Sequence, residues 1–237
     1  MANVGGTTVN ANNVAKYNTL NGVWSALGTG SGNGVAGLVY ALATIGSDLY
    51  VGGSFATANV GGTVVRVNSV AKFNTITSIW SAIGTGNGKG VNGSVQALAV
   101  IDSDLYVGGG FGTANVGGTT VSANNIAKVN TLTNVWSRLG AEGGNGVDDL
   151  VFALAVSGSD LYVGGAFWTV RNGSTTINAE HLARFNTTTS VWNPLGTGVW
   201  SIVGGDVYAL VVIGSDLYVG GHFLSANAGG TSINAKS

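Results

Sequence analysis

Cysteine is absent from the 237 residues, which removes any disulfide framework, thiolate metal site or cysteine nucleophile. Proline occurs once, at Pro194, so turns fall to the 41 glycines and to asparagine, serine and threonine. Charge is also scarce. Nine Lys/Arg and ten Asp/Glu make up 8% of the chain, where about 25% is usual. With a formal net charge of -1 and no basic stripe, the electrostatic footprint of a nucleic-acid binder is missing. No apolar run approaches the roughly 20 residues of a membrane span. The opening MANVGGTTVNANNVAK lacks the charged-then-apolar order of a signal peptide. Disorder is a poor reading, because 45% of the residues are hydrophobic and they are regularly spaced.

What is present is a repeat. Asp-Leu-Tyr-Val-Gly-Gly stands at residues 48–53, 104–109, 160–165 and 216–221, each copy followed two positions later by Phe. Trp24, Trp80, Trp136 and Trp192 keep the same period of 56. A fixed period without insertion or deletion determines architecture before any other feature. Each repeat holds four short apolar segments bounded by Gly, Asn and Ser, and none has a helical period. The spacing predicts an all-β fold: a β-propeller of four-stranded antiparallel blades, in one domain over residues 1–237.

Residues Gly52-Gly53, Phe73 and Trp80 place a Gly-Gly pair at the end of a second strand, then an aromatic and a Trp seven residues on. Gly108-Gly109, Val129 and Trp136, and Gly164-Gly165, Phe185 and Trp192, repeat the pattern, with Val129 departing from the aromatic. This resembles the kelch repeat, and is most similar to the Gly- and Asn-rich kelch-like repeats of bacterial surface proteins. The resemblance implies a propeller and an extracellular or cell-surface setting. Kelch-like propellers include copper radical oxidases, whose cofactor needs a Tyr–Cys crosslink that a cysteine-free chain cannot make.

Residues 225–237 repeat residues 1–13. The amino end therefore supplies strands three and four of a blade, and the carboxyl end strands one and two. Three closures follow: one ring with a composite blade, two chains joined head to tail as a homo-oligomer, or a piece of a longer array. The single ring of four repeats is the first expectation.

In such a meander the short turns lie at one end. The second-to-third connection (residues 56–69) and the inter-blade link lie at the other, read as long loops and the better place for a site. Departures from the repeat gather there. Trp168 replaces Ala56 and Gly112, Trp200 replaces Gly32, Gly88 and Gly144, and His181 stands where Asn13, Ser69 and Asn125 stand. With Arg171 and Glu180 these form the candidate ligand-binding set. Indole faces beside hydrogen-bonding side chains suit a glycan, and a protein ligand is the other reading; filling a gap left by glycine is the plain structural one. The repeated Asp48, Asp104, Asp160 and Asp216, with Lys16, Lys72, Lys128 and Arg184, are read as a structural ion-pair network. Two histidines are too few for a metal site, no cofactor is expected, and no nucleophile motif supports an enzyme. The expected function is non-catalytic binding or adhesion, with a structural role in a surface layer, fibre or virion as the alternative.

Overall fold

The computed structural model describes residues 2–4, 7–28, 33–60, 63–84, 89–116, 119–140, 144–195, 205–223, 225–228 and 231–234. Every regular element among them is a β-strand. Three repeats form antiparallel sheets of four strands in chain order, the first of them carrying a fifth strand off this path. Unit I comprises Gly34–Ile45, Asp48–Val60, Val70–Asn74 and Ile79–Ala82. Unit II comprises Ser94–Ile101, Asp104–Gly110, Ile126–Asn130 and Val135–Arg138. Unit III comprises Val151–Ser157, Asp160–Gly165, Leu182–Asn186 and Val191–Pro194. A leading half, Ala15–Asn18 with Val23–Ala26, precedes them, and a trailing half, Val207–Ile213 with Asp216–Gly221, follows. No helix is long and apolar enough to cross a membrane among the described residues.

Local chemistry explains the strands. Leu-Tyr-Val and Val-Ala-Lys-Phe runs suit a pleated surface, and a two-residue turn joins the first and second strands. Gly46, Gly158 and Gly214 take φ of +57°, +56° and +63° there, and Asp102 takes the same place at 54°; aspartate tolerates that region better than most residues.

One expectation changes. Residues 56–69 are not a loop: the second strand of unit I runs on to Val60 and pairs with Thr63–Arg66, Thr57 opposite Arg66. Thr113–Val116 with Thr119–Ser122, and Thr169–Asn172 with Thr175–Asn178, are the matching hairpins. Alternating Thr and Val supply strand propensity, and in the third hairpin Asn172-Gly173 supplies the turn, Gly173 at φ +58°.

The Gly-Gly pair has two separate jobs. A Cβ on Gly52, Gly108 or Gly164 would lie 2.5 Å from Cγ1 of Val95, Val151 or Val207, the valine of the following unit. Each first glycine is thus a socket, and each seated valine is fully buried. The second glycine faces its own sheet: a Cβ on Gly53, Gly109, Gly165 or Gly221 would strike the backbone of residue 38, 94, 150 or 206 on the first strand. Beside it the ladder slips by one residue, between Val39 and Ala41 and at the three equivalent places. This β-bulge brings the two backbones together.

Toward the outer strands, each Trp reaches back one unit. The indole N–H groups of Trp80, Trp136 and Trp192 donate to the carbonyls of Leu27, Ile83 and Leu139 at 3.0, 3.4 and 3.4 Å. Apolar clusters pack around these contacts. Burial pushes the phenol of Tyr106 up to about 12. At the short-turn end the expected ion pairs form: Lys72–Asp48 at 3.2 Å, Lys128–Asp104 at 2.7 Å and Arg184–Asp160 at 3.3 Å. Asn74, Asn130 and Asn186 join them, each donating through Nδ2 to the same aspartate. Sequence reading had not included these asparagines.

The leading and trailing halves stand as separate two-stranded sheets. The composite sheet expected from the chain ends is therefore not formed in this arrangement. Among the described residues, a Cβ on Gly220, the fourth socket, would meet only Ala209, at 3.6 Å or more. Gly52→Ala is accordingly expected to cost about 1–3 kcal/mol by overpacking, whereas Gly220→Ala leaves the unfolding of the dilute chain within about 0.5 kcal/mol of the parent. Denaturant melts of the two variants check this, and equal losses would contradict the socket assignment.

Candidate functional site

At the hairpin end, a groove of about 630 Å³ opens between units I and II, with Ala56, Ser69, Asn92 and Ser94 in its lining. Two repeats along, Ala56 becomes Trp168, Ser69 becomes His181 and Ser94 becomes Asp206. The same frame between unit III and the trailing half therefore carries an indole, an imidazole and a carboxylate.

Backbone geometry holds them. Asp148 Oδ1 accepts the N–H groups of Trp168 and Thr169, both at 2.8 Å, as Asn92 Oδ1 does for Gly112 and Thr113 at 2.9 Å. Asp148 is thus a clamp that starts the hairpin. The Trp168 carbonyl accepts the N–H groups of Ala179 and Glu180 at 2.8 and 3.1 Å, and His181 N–H donates to Phe167 at 2.7 Å. Glu180 and His181 both lie in the left-handed region, at φ 34° and 72°.

The side chains then diverge in role. Trp168 is 58% exposed and His181 only 4%. Their ring centroids lie 4.9 Å apart at 61°, so the buried imidazole props the indole edge-on. His181 Nδ1 is 3.9 Å from Asp206 Oδ1, and neither ring nitrogen makes a hydrogen bond. Asn13 and Asn125, at the same repeat position, donate to Val35 and Val147 carbonyls at 2.8 and 3.1 Å. Histidine has replaced a satisfied cap with a ring support. The Tyr208 hydroxyl donates to Asp206 Oδ2 at 3.0 Å, and that bond holds the phenol protonated, pushing its pKa above the usual tyrosine value.

Of the residues singled out from sequence, Trp168, Glu180 and His181 are brought together. Arg171 lies on the adjoining hairpin strand opposite Thr176, exposed. Trp200 falls outside the described residues. Asp206 was missed, although its signal was available: a charge where Leu38, Ser94 and Leu150 stand. Among the described residues no group of three or more His, Cys, Asp or Glu is placed to hold a metal ion.

The capping comparison makes a test. His181→Asn restores the side chain used at the equivalent positions and is expected to keep stability within about 0.5 kcal/mol of the parent or raise it. His181→Ala, left-handed without a polar group, is expected to lose about 1–2 kcal/mol. Thermal melts distinguish them, and a larger loss for asparagine than for alanine would contradict the account.

No family model matches the chain, and no curated protein matches it. Among solved structures, the computationally designed Ika4 protein superposes with a TM-score of 0.50 at 17% identity, covering 87% of this chain and 94% of that one. The designed Ika8 protein gives 0.46 at 17% identity, over 78% of this chain and 43% of that one. YjhT gives 0.45 at 20% identity, over 78% and 56% respectively. The likeness to Ika4 extends to the fold alone.

Proposed function

We propose that the chain is a non-catalytic binding module whose glycan or protein ligand docks at the hairpin end, on the platform formed by Trp168. In this reading the four-stranded sheets are blades of a kelch-like propeller, the two halves are complementary parts of one further blade, and the setting is extracellular. The observation that carries the reading is the exposed indole of Trp168 at the groove, the one exposed indole among the described residues. Units I and II have Ala56 and Gly112 at that position, yet here a large apolar face is held open to solvent and braced by a buried ring.

A planar indole face takes the apolar side of a pyranose, while its hydroxyls need donors and acceptors within reach. Arg171 and Asp149 are exposed on the same end, and Asp206 flanks the brace. His181 is closed off from solvent, so its role in this reading is support and not proton transfer. The scarcity of charge across the chain favours stacking and hydrogen bonding over electrostatic capture.

A glycan array probed with the parent chain and with Trp168→Ala tests this. Binding is expected for the parent, with at least a tenfold loss in the variant, about 1.4 kcal/mol. Undiminished binding by the variant would remove the platform from the account. A structural, assembling role is the second reading, favoured by the two uncompleted half-sheets.

A further inference from the structure

We infer that a second copy of this chain docks head to tail, its leading half completing the trailing half as one four-stranded sheet. The inference stands apart from the ligand reading and rests on other residues, those of the unpaired strand edges and of the Gly220 socket.

Three intact units give the template. Within each, the second strand pairs antiparallel with the third: Asp48 opposite Asn74, Leu49 opposite Phe73, Tyr50 opposite Lys72, and likewise in units II and III. Among the described residues, the second strand of the trailing half, Asp216–Gly221, has no third strand beside it, and the third strand of the leading half, Ala15–Asn18, has no second strand beside it. Laid in the same register, Asp216 meets Asn18, Leu217 meets Tyr17 and Tyr218 meets Lys16. The polar set closes too: Lys16 and Asp216, both exposed and neither ion-paired among the described residues, fall where Lys72–Asp48 and its two counterparts bond.

Contacts between units supply two further matches. Gly220 is an unfilled socket, floored by an apolar depression of about 300 Å³ with Leu210, Val211, Tyr218 and Val219 in its lining. Among the described residues, one knob lies against no glycine socket. Val39 stands at the position of Val95, Val151 and Val207, and Leu42, at the position of Leu98, is 55% exposed. The Trp24 indole N–H makes no hydrogen bond among the described residues; its counterparts all reach a carbonyl one unit back, which for Trp24 is Leu195 of the preceding copy. Tyr218 is 53% exposed, where Tyr50 and Tyr106 are 2% and 1%.

A second copy fits better than the chain's own opposite end. Unit I, unit II, unit III and the trailing half are already joined through seated Val–Gly contacts of one geometry. Joining the two ends of one chain would require changing the rotation at these close-packed junctions, which interiors resist. A neighbouring copy repeats the contact already made three times and changes none. Such a head-to-tail interface is heterologous, closing into a ring or extending as a filament according to its rotation.

The absence of cysteine permits a clean test. Tyr17→Cys and Leu217→Cys chains are prepared separately, then mixed and mildly oxidised. A covalent pair is expected in the mixture, little in either variant alone, and light scattering of the parent is expected to give at least twice the mass of one chain. Gly220→Ala, folded by circular dichroism, is expected to fall to the mass of one chain. A disulfide formed only inside a chain carrying both substitutions would overturn the inference in favour of closure within one chain. A parent of single-chain mass with no crosslink in the mixture would overturn it outright, as would Gly220→Ala retaining the parent's assembly.

Discussion

The approach of a valine side chain onto a bare glycine Cα, repeated at Gly52, Gly108 and Gly164, is the contact on which the architecture depends. A methyl group at the socket would lie 2.5 Å from the valine, so the spacing of adjacent sheets is set by the missing side chain. The neighbouring glycine admits the bulged first strand from within the same sheet. Around this paired contact the Trp-to-carbonyl bonds and the Asp–Asn–Lys clusters set the outer strands and the short-turn end. The same joint recurs between units I and II, between II and III, and between III and the trailing half. Among the described residues, Leu38, Tyr40 and Leu42 on the first strand of unit I and Tyr208, Val211 and Tyr218 on the trailing half are exposed apolar side chains.

The repeat that builds the frame also makes the candidate site conspicuous. The grooves at the hairpin end share a backbone, including the Asn92 or Asp148 carboxamide or carboxylate that starts the hairpin. They differ in a few side chains. Between units I and II these are small and polar; between unit III and the trailing half they become Trp168, His181 and Asp206. A scaffold held by ladder hydrogen bonds can carry such changes, since none of them replaces a socket glycine or its valine.

Much of this was legible in the sequence. The 56-residue period gives the unit, the turn residues give four strands, and the phased Asp and Lys give an ion-pair network that forms in all three intact sheets. The hairpin was not read, because Gly-Gly and polar residues at 56–69 were weighed as loop chemistry while the Thr-Val alternation was passed over. The pairing of Trp168 with His181 was legible only as a departure from the repeat. Burial of His181 depends on a left-handed turn and on the indole above it, which no local pattern encodes. Asp206 escaped because it sits at a strand entrance where the other repeats hold leucine or serine. The two glycines looked like one signal, strand termination; their separate partners, one across the unit boundary and one within the sheet, are visible only in three dimensions.

The socket claim is met most directly by a double-mutant cycle on Gly108 and Val151, followed by denaturant unfolding. Gly108→Ala overfills the joint, and Val151→Ala empties it. The combined chain, with one methyl returned where a valine was trimmed, is expected to be less destabilised than the sum of the single variants, by a coupling of roughly 0.5–3 kcal/mol. Strict additivity within error would contradict it, because two residues that do not touch across the unit boundary have nothing to compensate.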